Sequence, residues 1–135
     1  MKIFVSAVVS AFFSSAVYAD SPFSIEVNTA QSVESGCNLS FLINNEMDLD
    51  LNSAIFETVI LDTSGHVSQL SLFDFGTLPA NRTRVRQFLI SGTQCDAIGH
   101  ILFNGATTCE GKDLTPQICD KALSLSSRTH IEVSG

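Results

Sequence analysis

Three arginines, Arg82, Arg84 and Arg86, stand at every second position of one stretch. In an extended strand that spacing puts three guanidinium groups on one face, about 7 Å apart. Such a row can grip a carboxylate, a phosphate or an acidic strip on another molecule. The competing arrangement is a solvent-facing row paired with acids on neighbouring strands, such as Glu57 or Asp74, with Val85 and Leu89 facing the core. A second constellation is acidic. Glu46, Asp48, Asp50, Asn52 and Glu57 fall at offsets 1, 3, 5, 7 and 12, the ligand spacing of an EF-hand loop. Offset 6 is Leu51, where the tight turn needs glycine, and Ile55–Leu61 reads as a strand and not as the exit helix. Glu46, Asp48 and Asp50 are therefore expected to form a solvated acidic loop, with a weak calcium loop of another kind as the alternative.

Other reactive groups give less. His66, His100 and His130 have no His-x-His or His-x-x-x-His spacing, so metal binding would need three separate strands to converge. No Gly-x-Ser-x-Gly elbow is present, and Asp74-Phe75-Gly76 spells a kinase triplet without any other kinase element. No catalytic residue, cofactor or metal is expected. Four cysteines, Cys37, Cys95, Cys109 and Cys119, contain no C-x-x-C and read as two disulfides with three available connectivities.

The elements that must position these groups begin after a leader. Met1-Lys2, the apolar run from Ile3 to Val17 and the small residues Val17 and Ala19 before Asp20 form a secretory signal, with cleavage expected after Ala19. The run is too short for a membrane span. Export implies a periplasmic or extracellular site. The remaining 20–135 suits one domain, with 6 basic against 14 acidic residues and a net charge of −8. An acidic domain has no electrostatic reason to seek nucleic acid or anionic lipid.

Period-two alternation runs through Phe23–Asn28, Leu39–Asn44, Ser53–Asp62, Val67–Phe73, Arg82–Ile90, Ala97–Asn104 and Leu123–Val133. Asp62-Thr63-Ser64-Gly65 is turn chemistry joining two of these as a hairpin. Only Thr115–Ala122 looks helical, with Thr115 as cap and Pro116 at the first helical position. Seven short antiparallel strands predict a two-sheet sandwich. If successive strands alternate in direction, Cys37 and Cys95 enter at one end while Cys109 and Cys119 lie at the other. The pairing Cys37–Cys95 and Cys109–Cys119 follows.

The stretch Leu39–Asn44, Phe56-Glu57-Thr58-Val59-Ile60-Leu61-Asp62, Gly65, Leu78-Pro79-Ala80 and Phe88 resembles the small immunoglobulin-like modules of bacterial exported proteins called FxLYD-type domains. Those carry a strand with an Asn, an aliphatic-Asp-x-x-Gly hairpin, a Leu-x-Pro-Gly turn and a later Phe. Here Ala80 replaces the usual Gly and the four cysteines are additional. More loosely, the whole chain is similar to secreted proteins of α-proteobacteria. The resemblance implies an immunoglobulin-like sandwich and an interaction role, with a protein or peptide as partner. The alternative is a carrier or sensor of a small ligand (sugar, lipid or calcium). The sequons Asn38-Leu39-Ser40 and Asn81-Arg82-Thr83 carry meaning only in a eukaryotic secretory pathway, and the alanine- and valine-rich leader leans toward a bacterial periplasm.

Overall fold

Strands alternating apolar with polar residues can bury only one face each, and here two sheets bury those faces against one another. The computed structural model describes residues 21–135. The expected leader, 1–19, lies outside the described residues. In chain order the elements are β1 (Phe23–Val33), β2 (Gly36–Asn45), β3 (Ser53–Asp62), β4 (Val67–Asp74), β5 (Arg82–Ser91), β6 (Ile98–Glu110), α1 (Pro116–Ala122), β7 (Leu123–Ser127) and β8 (Glu132–Ser134). One sheet has the order β5-β2-β1-β7 and the other β4-β3-β6-β8.

The inward rows are Phe23, Ile25 and Val27 of β1, Leu39, Phe41 and Ile43 of β2, Ala54, Phe56 and Ile60 of β3, and Ile98, Ile101 and Phe103 of β6. Phenylalanines from both sheets fill the middle. Phe73 at the end of β4 stacks on Phe88 of β5 at 4.6 Å, and Phe56 of β3 meets Phe103 of β6 edge-on at 5.6 Å. Thr58, buried in this apolar setting, donates its hydroxyl to the Ser71 carbonyl at 3.0 Å.

Local chemistry fixes the turns. In the β3–β4 hairpin, Asp62 Oδ1 accepts from the backbone N–H of Ser64 and of His66, both at 2.9 Å, and Gly65 takes φ 84°. The His66 N–H, followed by that of Ser64, holds the Asp62 carboxyl below the usual carboxylate range. Gly36 opens β2 where a Cβ would meet the Ile90 carbonyl oxygen of β5 at 2.0 Å, so only glycine fits that approach. Thr115 caps α1 by accepting from Ile118 N–H at 3.3 Å, with Pro116 next to it at the helix start.

The structure departs from the expected seven antiparallel strands in its last segment. The described residues form eight strands, and both sheets are mixed: β7 runs parallel to β1 and β8 runs parallel to β6. The single strand expected over Leu123–Val133 is two short strands belonging to opposite sheets. The hydroxyls of Ser127 and Thr129 make the crossing. Ser127 Oγ accepts from Thr129 N–H and Thr129 Oγ1 accepts from Ile131 N–H, both at 3.1 Å, so side chains satisfy the backbone where the ladder is broken. Ile131 then buries fully in the core. β6 also runs to Glu110, well past the expected Asn104, and its pairing with β3 is interrupted by bulges.

Cys37 and Cys95 are bridged with Cα atoms 4.8 Å apart, and Cys109 and Cys119 with Cα atoms 6.4 Å apart. The first bridge ties the start of β2 to the turn that leads into β6, across the two sheets. The second ties the end of β6 to α1.

Candidate functional site

β5 is an edge strand, and its two faces are the reverse of those expected. Phe88 and Ile90 pack inward, whereas Val85 and Leu89 are 57% and 47% exposed on the outer face. Arg84 and Arg86 therefore share the row that faces the other sheet, and their long stems carry the guanidinium groups out at the open side of the sandwich. Arg86 is committed there. Its Nε donates to the Phe75 carbonyl at 2.8 Å and its Nη2 to the Thr77 carbonyl at 3.0 Å, tying β5 to the chain leaving β4. Pairing of the row with Glu57 or Asp74 is not what the fold uses; the partners are main-chain carbonyls, because Gly76 turns that segment under the arginine. Arg82 is exposed, and Arg84 donates to the neighbouring Thr83 carbonyl at 3.0 Å. Neither Arg82 nor Arg84 has an acidic partner within ion-pair distance among the described residues.

The split within the row can be measured. Arg86→Ala is expected to lower stability by about 1.5–3 kcal/mol, the range for hydrogen bonds made by a charged group. Arg82→Ser is expected to stay within about 0.5 kcal/mol of the parent. Urea denaturation of the two variants reads the difference. Equal midpoints would mean that water serves the Phe75 and Thr77 carbonyls equally well.

The acidic loop is also committed to the fold. Asp50 Oδ1 accepts from Ala80 N–H and Asp48 Oδ1 from Asn81 Nδ2, each at 2.8 Å, which fastens the 46–51 segment to the Leu78–Asn81 loop. Beneath them Asn45 is fully buried, donating to the Leu49 and Leu78 carbonyls at 2.8 Å and accepting from Met47 N–H at 3.1 Å. Among the described residues no three His, Cys, Asp or Glu side chains converge as a metal would require. Glu57 lies away from this loop, on the outer face of β3, accepting from Asn104 Nδ2 at 2.8 Å. The histidines are dispersed as well. His130 Nε2 donates to the Cys95 carbonyl at 3.0 Å, His100 Nε2 lies 2.7 Å from Ser134 Oγ, and His66 sits in the exposed hairpin turn.

The feature that sequence reasoning missed is on β4. Val67, Leu70 and Leu72 are 65%, 65% and 63% exposed on the outer face of an edge strand. Leu70 and Leu72 stand in register with Val59 and Glu57 of β3, and a shallow depression of about 250 Å³ lies between Glu57, Leu70, Ser71 and Leu72. Ile55 and Leu61 of β3 and Leu102 of β6, all half-buried, extend the apolar strip across the sheet. A signal was available in the sequence. Leu72 and Phe73 are adjacent and point to opposite faces, so only one of them can join the inter-sheet core, and the large aromatic takes that place.

The opposite sheet presents mostly polar groups outward. Gln87 donates to Ser40 across β5 and β2 at 2.9 Å, and Glu26 accepts from Asn28 and from Arg128 at 3.0 Å. Asn28 first, then Arg128, holds the Glu26 carboxyl below the usual range. Compared with known proteins, the chain matches no family model, no curated protein and no solved structure.

Proposed function

We propose that this chain is a non-enzymatic exported module, periplasmic or extracellular, that binds a protein or peptide partner through the β4 side of an immunoglobulin-like sandwich. The observation that carries the reading is the apolar row Val67, Leu70 and Leu72, held in water on an unpaired strand edge. Large apolar side chains exposed together on a rigid sheet mark an interaction surface. Arg82 and Arg84 stand on the neighbouring β5 edge as further contact candidates. The two disulfides support a life in an oxidising compartment.

Support for the immunoglobulin-like reading, and with it the FxLYD resemblance, comes from the pairings β2–β5 and β3–β6. These match the B–E and C–F pairs of that fold when β1, β2, β3, β5 and β6 stand for A, B, C, E and F. The parallel strand β8 beside β6 departs from it. The phenylalanine cluster occupies the inter-sheet space that a small-ligand carrier would need open.

Photo-crosslinking tests the proposal. A photoreactive side chain placed at position 72 is expected to give discrete protein adducts, and the same group at position 126 on the other sheet is expected to give none. Equal labelling at both positions, or none at either, would overturn the reading.

A further inference from the structure

The four sheet edges are protected unequally. β5 carries three arginines, while β7 and β8 have only 5 and 3 residues. Charge and shortness are the devices by which sheet edges avoid unwanted pairing. β4 has 8 residues, and from Val67 to Phe73 it holds no charge and no proline. A register shift disturbs its pairing with β3 only at the Val67 end. An edge of this kind is open to a further strand.

The sheet that bears this edge carries charge of a single sign, and Arg86 of the facing β5, the cation that reaches the chain beyond Asp74, is taken up by the Phe75 and Thr77 carbonyls. The four strands of its sheet hold Glu57, Asp62, Asp74, Glu110 and Glu132 and no lysine or arginine. The other sheet holds Glu26 against Arg82, Arg84 and Arg86. On the outer face, Glu57 stands in register with Leu72, and Asp74 follows two residues along the strand from Leu72. An incoming strand therefore meets apolar side chains flanked by carboxylates.

Building on the interaction reading above, we infer that the partner presents a basic, apolar extended segment that adds to β4 as a further strand of this sheet. Its main chain pairs with the free edge, and its aliphatic side chains lie beside Leu70 and Leu72. Its lysine or arginine heads reach Glu57 and Asp74. Backbone pairing gives affinity, and the same-face side chains give selectivity. Attraction between the acidic sheet and the basic segment speeds encounter and weakens with salt.

Synthetic peptides supply the test. The probe has seven residues, with Leu at positions 3 and 5, Lys at both ends and Ser elsewhere. It is compared by fluorescence anisotropy with three relatives: Glu at both ends, Ser in place of both Leu, and N-methylation of alternate amides. The parent probe is expected to bind at least tenfold more tightly than each relative, to weaken severalfold at 0.5 M salt, and to shift the amide resonances of Ser68–Leu72. The double variant L70S/L72S is expected to lose at least tenfold in affinity with its melting temperature unchanged. Equal binding of the Glu-ended peptide would overturn the basic character of the partner, and equal binding of the N-methylated peptide would overturn strand addition. If no peptide binds but sedimentation finds a dimer that L70S/L72S abolishes, the occupant is a second copy; the inference falls and the interaction reading stands. If no peptide binds, the protein is monomeric and position 72 yields no adduct, both fall.

Discussion

Replacing Phe41 by alanine is expected to destabilise the protein by about 3–5 kcal/mol, the range for deleting a buried aromatic ring. Phe41 is fully buried on β2 and its ring centroid lies 5.4 Å from Phe73, 5.6 Å from Phe75 and 5.7 Å from Phe88. These partners come from β4, from the residue that leaves β4, and from β5. One ring thus joins both sheets at their open side. Alanine would remove the apolar surface, leave a cavity that three packed rings cannot collapse into, and forfeit edge-to-face contacts with Phe75 and Phe88. Against a typical total of about 5–15 kcal/mol, that is a large share. The exposed Leu72→Ser is the control and is expected to stay within about 0.5 kcal/mol. Urea denaturation of both variants measures the contrast. A loss below about 1 kcal/mol for Phe41→Ala would mean that the aromatic cluster does not hold the sheets together.

Where local chemistry decided an element, the sequence was sufficient. β3 was readable as Ser53–Asp62 because an apolar run ended in a turn built from Asp62 and Gly65, and the helix was readable from Thr115-Pro116. Strand direction was enough to pair the cysteines. The arginine row went to the wrong face because both parities of β5 carry apolar residues, Phe88 and Ile90 on one and Val85 and Leu89 on the other. A charge count puts arginine outward. Long stems let Arg84 and Arg86 stand on the inward parity and still reach the rim.

The last strand misled for a different reason. Period two continues unbroken through Ser127 and Thr129, so alternation alone could not report a break. What distinguished those positions was hydrogen-bonding capacity, since a hydroxyl there can replace the lost ladder partner and an aliphatic side chain cannot. The β4 surface was hidden for the opposite reason: an apolar residue on a strand reads as core unless its parity is checked against a larger neighbour.

The disulfides set the second large effect, and the two bridges are expected to differ. Cys37–Cys95 spans 58 residues and Cys109–Cys119 spans 10. In the chain-entropy model, removing the longer loop's bridge costs about 4 kcal/mol and the shorter one's about 3 kcal/mol, a gap of about 1.5 kcal/mol before rounding. Replacing both members of a pair with alanine avoids a stray buried thiol. C37A/C95A releases the start of β2 from the entry to β6 and so frees the long loop 37–95 of the unfolded chain. C109A/C119A frees only α1 and the end of β6. Urea midpoints under identical conditions test the order, and equal losses would show that native packing, not chain restriction, dominates. Limited proteolysis separates the two cases further. The short-loop variant is expected to be nicked within 111–122 while the sandwich stays intact, because local opening is enough to expose that segment. The long-loop variant is expected to be cut only as the entire domain unfolds, so its cleavage rate should track the urea-measured stability. Early nicking of C37A/C95A confined to the β2 or β6 termini would show that this bridge holds one end of the sandwich and not the domain as a whole.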